Sequence, residues 1–257
     1  VEAGRKNEGL LPARALLEFY RRPAESQIAA EALSLIASAL GRGSLPDLLR
    51  ALDAPDARLR GAALEIASGF VWDDAALAQW IGKAGVSAPE VRAGIVDMLG
   101  RSQPVGAADY IIERLRDPEK IVRLAAIRSA PRHDSALFLV LLDTADEEEA
   151  AALKARLLMF KAEDVVPAAA LRIATTPHPA KAVLIDILGE KGARGEIERV
   201  YALAADPEPA TRAAALGALA KLAGEFELPS LVAMLEKATD ADDVILLQEA
   251  VAAAALR

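Results

Sequence analysis

Cysteine is absent from all 257 residues. That excludes disulfides, thiolate metal ligands and a cysteine nucleophile, and it fits any compartment. Aromatic residues make up only 4% of the chain, and the β-branched residues that strands also favour are sparse. Cations are outnumbered: 30 Lys and Arg face 38 Asp and Glu, for a formal net charge of −8 and a pI of about 5.0. A protein that binds nucleic acid through its phosphates needs clustered cations to release counterions, so this balance argues against that partner. No apolar run reaches the roughly 18 residues of a membrane span. The closing "VAAAALR", residues 251–257, is apolar but short. Neither a methionine nor a signal-peptide pattern opens the chain, which reads as a piece of something longer; cytoplasmic, periplasmic and secreted settings all stay open.

What fills the sequence is alanine and leucine, in a chain 53% hydrophobic. Both are strong helix formers, so the class is all-α. The order within it comes from a phrase that is spelled twice. "DPEKIVRLAAIRSA" begins at Asp117 and "DPEPATRAAALGAL" at Asp206. Stepping from Arg123 by about 31 residues reaches Arg92 and Arg60 in one direction, and Lys154, Lys181 and Arg212 in the other. Weaker copies fall near Ile28 and Ile245.

Each unit has one grammar. An apolar residue precedes the basic one, as at Leu59, Val91, Val122 and Leu153, and others follow three, four and six or seven positions later. That spacing lays one apolar stripe along a helix. A second stripe lies upstream, as in "AADYIIERLRD" and "LPSLVAMLEKA". Between the stripes sits a turn rich in Asp and Pro, residues suited to helix starts. Glycines 41, 69, 100, 189 and 224 follow the second stripe and are expected to end it. A single hairpin of this kind cannot bury its stripe, whereas stacked neighbours can. The expectation is one elongated domain over 1–257, a right-handed α-solenoid of about seven to eight helical hairpins. The alternative is two domains split near the acidic run at 146–149.

Asp-Pro at the inter-helix turn, with apolar-Arg-x-x-Ala opening the second helix, resembles the HEAT-repeat family, most closely the short bacterial repeats of phycobilisome-lyase-like proteins. The likeness covers essentially the whole chain, most clearly 45–132 and 193–237. It implies a ladder in which the turn aspartates Asp53, Asp117 and Asp206 pair with Arg60, Arg92, Arg123 and Arg212. The fifth unit departs from it with "DTADEEEAAALK", and the sixth has Lys181 for Arg.

In HEAT-like stacks the second helices line a concave binding face. Five after the basic residue come Glu65, Asp97, Arg128, Met159, Asp186 and Gly217; nine after it come Arg101, Arg132, Glu163, Glu190 and Lys221. Glu65, Asp97, Arg101, Arg128, Arg132 and Asp186 are the candidates for partner contact. Their mixed charge suits a protein, a peptide or another domain of the same chain better than a polyphosphate.

No catalytic set, cofactor loop or metal-ligand spacing stands out, and the reading is a non-catalytic interaction scaffold without a cofactor. "GEKGARGE" from Gly189 has spaced glycines but no preceding strand, so it reads as a loop. His133 and His178 have no partner His at ligand spacing. The alternatives are a HEAT-like enzyme, either a bilin lyase or a DNA glycosylase, and a purely structural spacer in a larger bacterial protein. For the glycosylase the suspect cluster is Trp72 and Trp80 with Asp73 and Asp74, although core or inter-repeat packing is the favoured reading, since large aromatics fill gaps where a turn is irregular.

Overall fold

A computed structural model of the chain describes residues 14–15, 26–131 and 134–257. Every long element among them is a helix and none is a strand. The chain falls into two compact units, Val1–Pro131 and Arg132–Arg257.

The first unit holds α1 (Ser26–Leu40), α2 (Leu45–Ala51), α3 (Ala57–Ser68), α4 (Asp74–Val86), α5 (Pro89–Ser102), α6 (Ala107–Arg114) and α7 (Lys120–Ser129). Helices α2 and α3, α4 and α5, and α6 and α7 pack in pairs, while α1, α3, α5 and α7 pack one on the next. The second unit repeats the scheme. Its helices are α8 (Ser135–Leu141), α9 (Glu147–Leu157), α10 (Ala162–Arg172), α11 (His178–Glu190), α12 (Ile197–Leu203), α13 (Pro209–Leu222), α14 (Leu228–Lys237) and α15 (Ala241–Ala255). They pair as α8–α9, α10–α11, α12–α13 and α14–α15, with α9, α11, α13 and α15 in succession. The core is the stripe read from the sequence: Leu59, Val91, Val122, Leu153, Ile95, Val96, Leu184 and Ile185 are all buried.

One helical run, Gln27–Ala51, is long and apolar enough by composition to be weighed as a membrane span. Inside it α1 gives way to a 3₁₀ turn at Gly41–Ser44, where Gly41 adopts φ +57°. Leu33 and Ile36 of α1 are fully buried, with α3 packed against the helix. It is weakly apolar, and no clear span emerges among the described residues.

The doubled phrase is a turn clamp. Asp117 accepts the backbone N–H of Glu119, and Asp206 that of Glu208. Arg123 then reaches back, its Nη1 donating to the carbonyls of Asp117 and Pro118, both at 3.0 Å. Arg212 does the same to Asp206 and Pro207, and Arg60 to Ala54 and Pro55 at 2.8 Å. Pro118 and Pro207 therefore precede the helix start at Glu119 and Glu208 rather than entering the first turn. Pro89 and Pro209 do stand in the first turn of α5 and α13. The acidic run opens α9 with a capping box between Asp146 and Glu149. Glu149 is buried there.

The expectation that glycines end the second helices needs correcting at two of them. Gly100 lies inside α5 and Gly189 inside α11. A Cβ on Gly100 would fall 2.4 Å from Cβ of Ser129 on α7, and one on Gly189 would fall 3.0 Å from Cα of Ala218 on α13. These glycines let neighbouring helices approach. The stops lie further on: Gln103 ends α5 in the left-handed conformation at φ +47°, and Gly192 ends α11 at φ +63°. There the Ala193 N–H reaches the Leu188 carbonyl in a Schellman turn.

Two glycine substitutions should therefore have opposite signs in urea denaturation. Gly100→Ala should destabilise by about 1–2 kcal/mol, because the overpacked contact outweighs the helix-propensity gain. Gly217→Ala, inside α13 with nothing within 4 Å of the new methyl, should stabilise by about 0.5–1 kcal/mol.

Candidate interaction surface

The candidate face is built from the second helix of each pair. In the first unit, Glu65 on α3 pairs with Arg101 on α5. Asp97 on α5 then accepts from Arg128 on α7 at 3.1 Å and from the Ser129 hydroxyl at 3.1 Å. In the second unit, Lys154 on α9 meets Asp186 on α11 at 2.5 Å, and Glu190 on α11 meets Lys221 on α13 at 2.8 Å. The four described candidates of the first unit thus form two ion pairs, each tying one second helix to the next. Asp186 does the same in the second unit. Arg132 and His133 lie outside the described residues. Glu163 does not belong to this row, because α9 ends at Leu157 and Glu163 falls in α10.

These pairs are half-exposed. The side chains of Arg128 and Asp97 are 55% and 37% exposed, so water screens the attraction and each link contributes about 1 kcal/mol or less. They fix the register of neighbouring helices more than they stabilise them. Glu190 has its pKa held below the ordinary glutamate range, first by the hydrogen bond from Lys221 and then by that ammonium's charge.

The ladder positions make a more varied set of contacts. Arg92 Nη1 donates to both carboxylate oxygens of Asp117 at 3.1 Å, across from α5 to the next turn. That carboxylate is 1% exposed, and Arg114 Nη1 stands 3.7 Å from it. The Arg114 guanidinium also lies 5.0 Å over the ring of Tyr110, whose pKa burial raises against the pull of Arg114 and Arg92. Among the described residues Asp53 is met by Lys83, not by an arginine. Arg212 keeps its turn with Nη1 and gives Nε to Asp243 on α15 at 2.6 Å. Asp206 has His178 nearby, with Nδ1 at 3.8 Å, and that nitrogen is 3.3 Å from the Thr211 hydroxyl.

Lys83, Arg114 and Asp243 were not picked out by sequence reasoning. For Lys83 and Asp243 the signal is an opposite charge about one repeat away: Lys83–Asp53 are 30 residues apart and Arg212–Asp243 are 31; for Arg114 it is Asp117, three residues on.

The tryptophan cluster sits in the core. Trp72 is 3% exposed and Trp80 fully buried. They meet edge to face at 5.7 Å, with Phe70 against Trp72 at 5.4 Å. Trp72 donates its Nε1–H to the Ala67 carbonyl. Asp73 is the N-cap of α4, accepting the Ala76 N–H at 2.9 Å. Its carboxylate is engaged in starting a helix.

No protein-family model matches the chain, and no curated protein matches it. Among solved structures, one similar chain is that of an engineered protein. It is 16% identical, the match covers 96% of this chain and 90% of that one, and the TM-score is 0.30. At that score the overlap says nothing about how the helices of this chain are arranged.

The two kinds of ion pair should separate by mutation. Asp117→Asn, which leaves two arginines over a nearly dry site, should cost about 3 kcal/mol in urea denaturation. Asp97→Asn should cost less than about 1 kcal/mol. Glu190 should titrate below the ordinary glutamate midpoint when its side chain is followed by NMR. Its depressed pKa means the Lys221 link stabilises above that range and is lost as pH falls through Glu190's own midpoint. Lys221→Gln should move the midpoint back up.

Proposed function

We propose that the chain is a HEAT-like α-solenoid scaffold that binds another protein, a peptide, or another domain of its own chain along the face of its second helices, without catalysing a reaction. The observation that carries the reading is the recurrence of one device. The arginine turn clamp appears at Arg60, Arg123 and Arg212, and in each unit the second helices pack in succession. Such regularity suits a scaffold assembled from one folding rule, with function in the residues that differ between copies.

The face itself supports a protein partner. In the first unit it presents Glu65 with Arg101 and Asp97 with Arg128 as paired opposite charges, and in the second unit Lys154 with Asp186, where a polyphosphate would need an uninterrupted basic stripe. Paired side chains on packed helices are already ordered, so a partner meeting them loses little further rotamer entropy. Met159, 54% exposed, adds an adaptable apolar contact near the end of α9.

Site-specific photocrosslinking tests this. A crosslinking residue placed at Arg101, Arg128 or Met159 should capture a co-purifying partner. One placed on the first helices at Glu113 or Glu198 should not. Capture from the first-helix positions alone would move the binding face elsewhere.

A further inference from the structure

Two neighbouring junctions in the first unit carry the same pair of cations and differ in where the carboxylate stands. At the junction of α5 with the next turn, Asp117 lies between Arg92 and Arg114, three residues after Arg114, and its carboxylate is 1% exposed. One repeat earlier, Arg60 takes the place of Arg92, Lys83 that of Arg114, and Val86 that of Asp117. Both cations are kept, but the carboxylate at Asp117's place is not; Lys83 turns instead to Asp53 of the preceding turn. Val86 turns outward, 85% exposed, and a cleft of about 340 Å³ lies at this junction, lined by Arg60, Lys83, Asp53, Val86, Ser87 and Glu90 among others.

We propose that this cleft binds a carboxylate of an incoming ligand, which takes the position Asp117 occupies at the next junction. Arg60 is prepared for it. Its Nη1 is held by the carbonyls of Ala54 and Pro55, so the guanidinium is fixed, while its Nε edge makes no hydrogen bond among the described residues. Arg212 shows what that edge does: with Nη1 on its own turn carbonyls, its Nε holds the Asp243 carboxylate at 2.6 Å. Arg60 receives no such carboxylate from α5. Lys83, only 17% exposed, bonds Asp53 at 2.5 Å, but that carboxylate is 69% exposed at the lip of the cleft. An entering anion can share Lys83 with Asp53 while pairing with Arg60 in a charge-assisted hydrogen bond. The negative charges of Glu90 and Asp53 on the rim oppose any anion, and oppose a multiply charged phosphate more than a single carboxylate. The ligand class is a carboxylic acid, either an acidic side chain of a peptide or a free organic acid. The inference rests on comparing two junctions and stands apart from the second-helix face proposed above.

The test is NMR of the arginine Nε–H groups, with two probes: glutarate, and the capped tripeptide acetyl-Ala-Asp-Ala-amide. Saturable shifts of Arg60 Nε–H and the Ser87 amide are expected. Half-saturation at lower concentration with the tripeptide assigns a peptide ligand, and the reverse assigns a free acid. Val86→Asp gives the chain its own carboxylate, so it should abolish the response to both probes and hold or raise the melting temperature. Val86→Asn, matched in size but uncharged, should keep the response. The proposal fails if neither probe moves Arg60 beyond a chloride control of equal ionic strength. It fails equally if the Asn-containing tripeptide shifts Arg60 as much, or if Val86→Asp responds like the unmodified chain.

Discussion

Two short amphipathic helices have too little surface between them to bury their own apolar stripe. Everything in this chain follows from that constraint. Each second helix must lay its stripe against the next second helix as well as against its own partner. The sides of the helices must then be small enough to let backbones approach, which is why α5 meets α7 through Gly100 and α11 meets α13 through Gly189. A side chain at either point would hold the helices apart and open the stripe to water.

Close packing of helices sets the distance but leaves sliding and rotation to be fixed, and the polar links do this. They come in two grades. The outer pairs, such as Asp97 with Arg128, are wet and weak, and serve as registration marks. The inner site around Asp117 is nearly dry and couples two helices and a turn through one carboxylate. In such a place the carboxylate has to keep its partners, since an unpaired buried charge costs far more than the pair contributes. The turn clamp adds a third element, in which an arginine holds the carbonyls of its own Asp-Pro turn and so fixes where the second helix starts.

Most of the fold was legible in the residues. The apolar stripe, the paired helices and the Asp-Pro turn all depend on contacts within about one repeat, and periodicity reports those directly. The doubled phrase also marked the clamp, although its chemistry read as helix capping and between-repeat pairing, whereas Arg60, Arg123 and Arg212 each reach back to their own turn carbonyls. The candidate face was named by counting from those same arginines. Counting located Glu65, Asp97, Arg101, Arg128 and Asp186, but it could not reveal that these charges would meet charges on the adjacent helix. Glycine misled for a related reason: the residue that best ends a helix is also the one that best lets two helices touch, and the sequence does not distinguish the uses at Gly100 and Gly189.

By itself the sequence determined the helical class, the repeat of about 31 residues and the residues that would be buried, because each depends on local spacing and composition. Tertiary structure alone decided which charges pair. Side chains about 30 residues apart can meet only after the helices carrying them have packed, and the outcome turns on angles and distances that no local pattern encodes. It also decided that Trp72 and Asp73 serve the core and a helix start. And it separated two junctions that look alike in the chain: Asp117 closes one of them, while Val86 leaves its neighbour open beside Arg60 and Lys83.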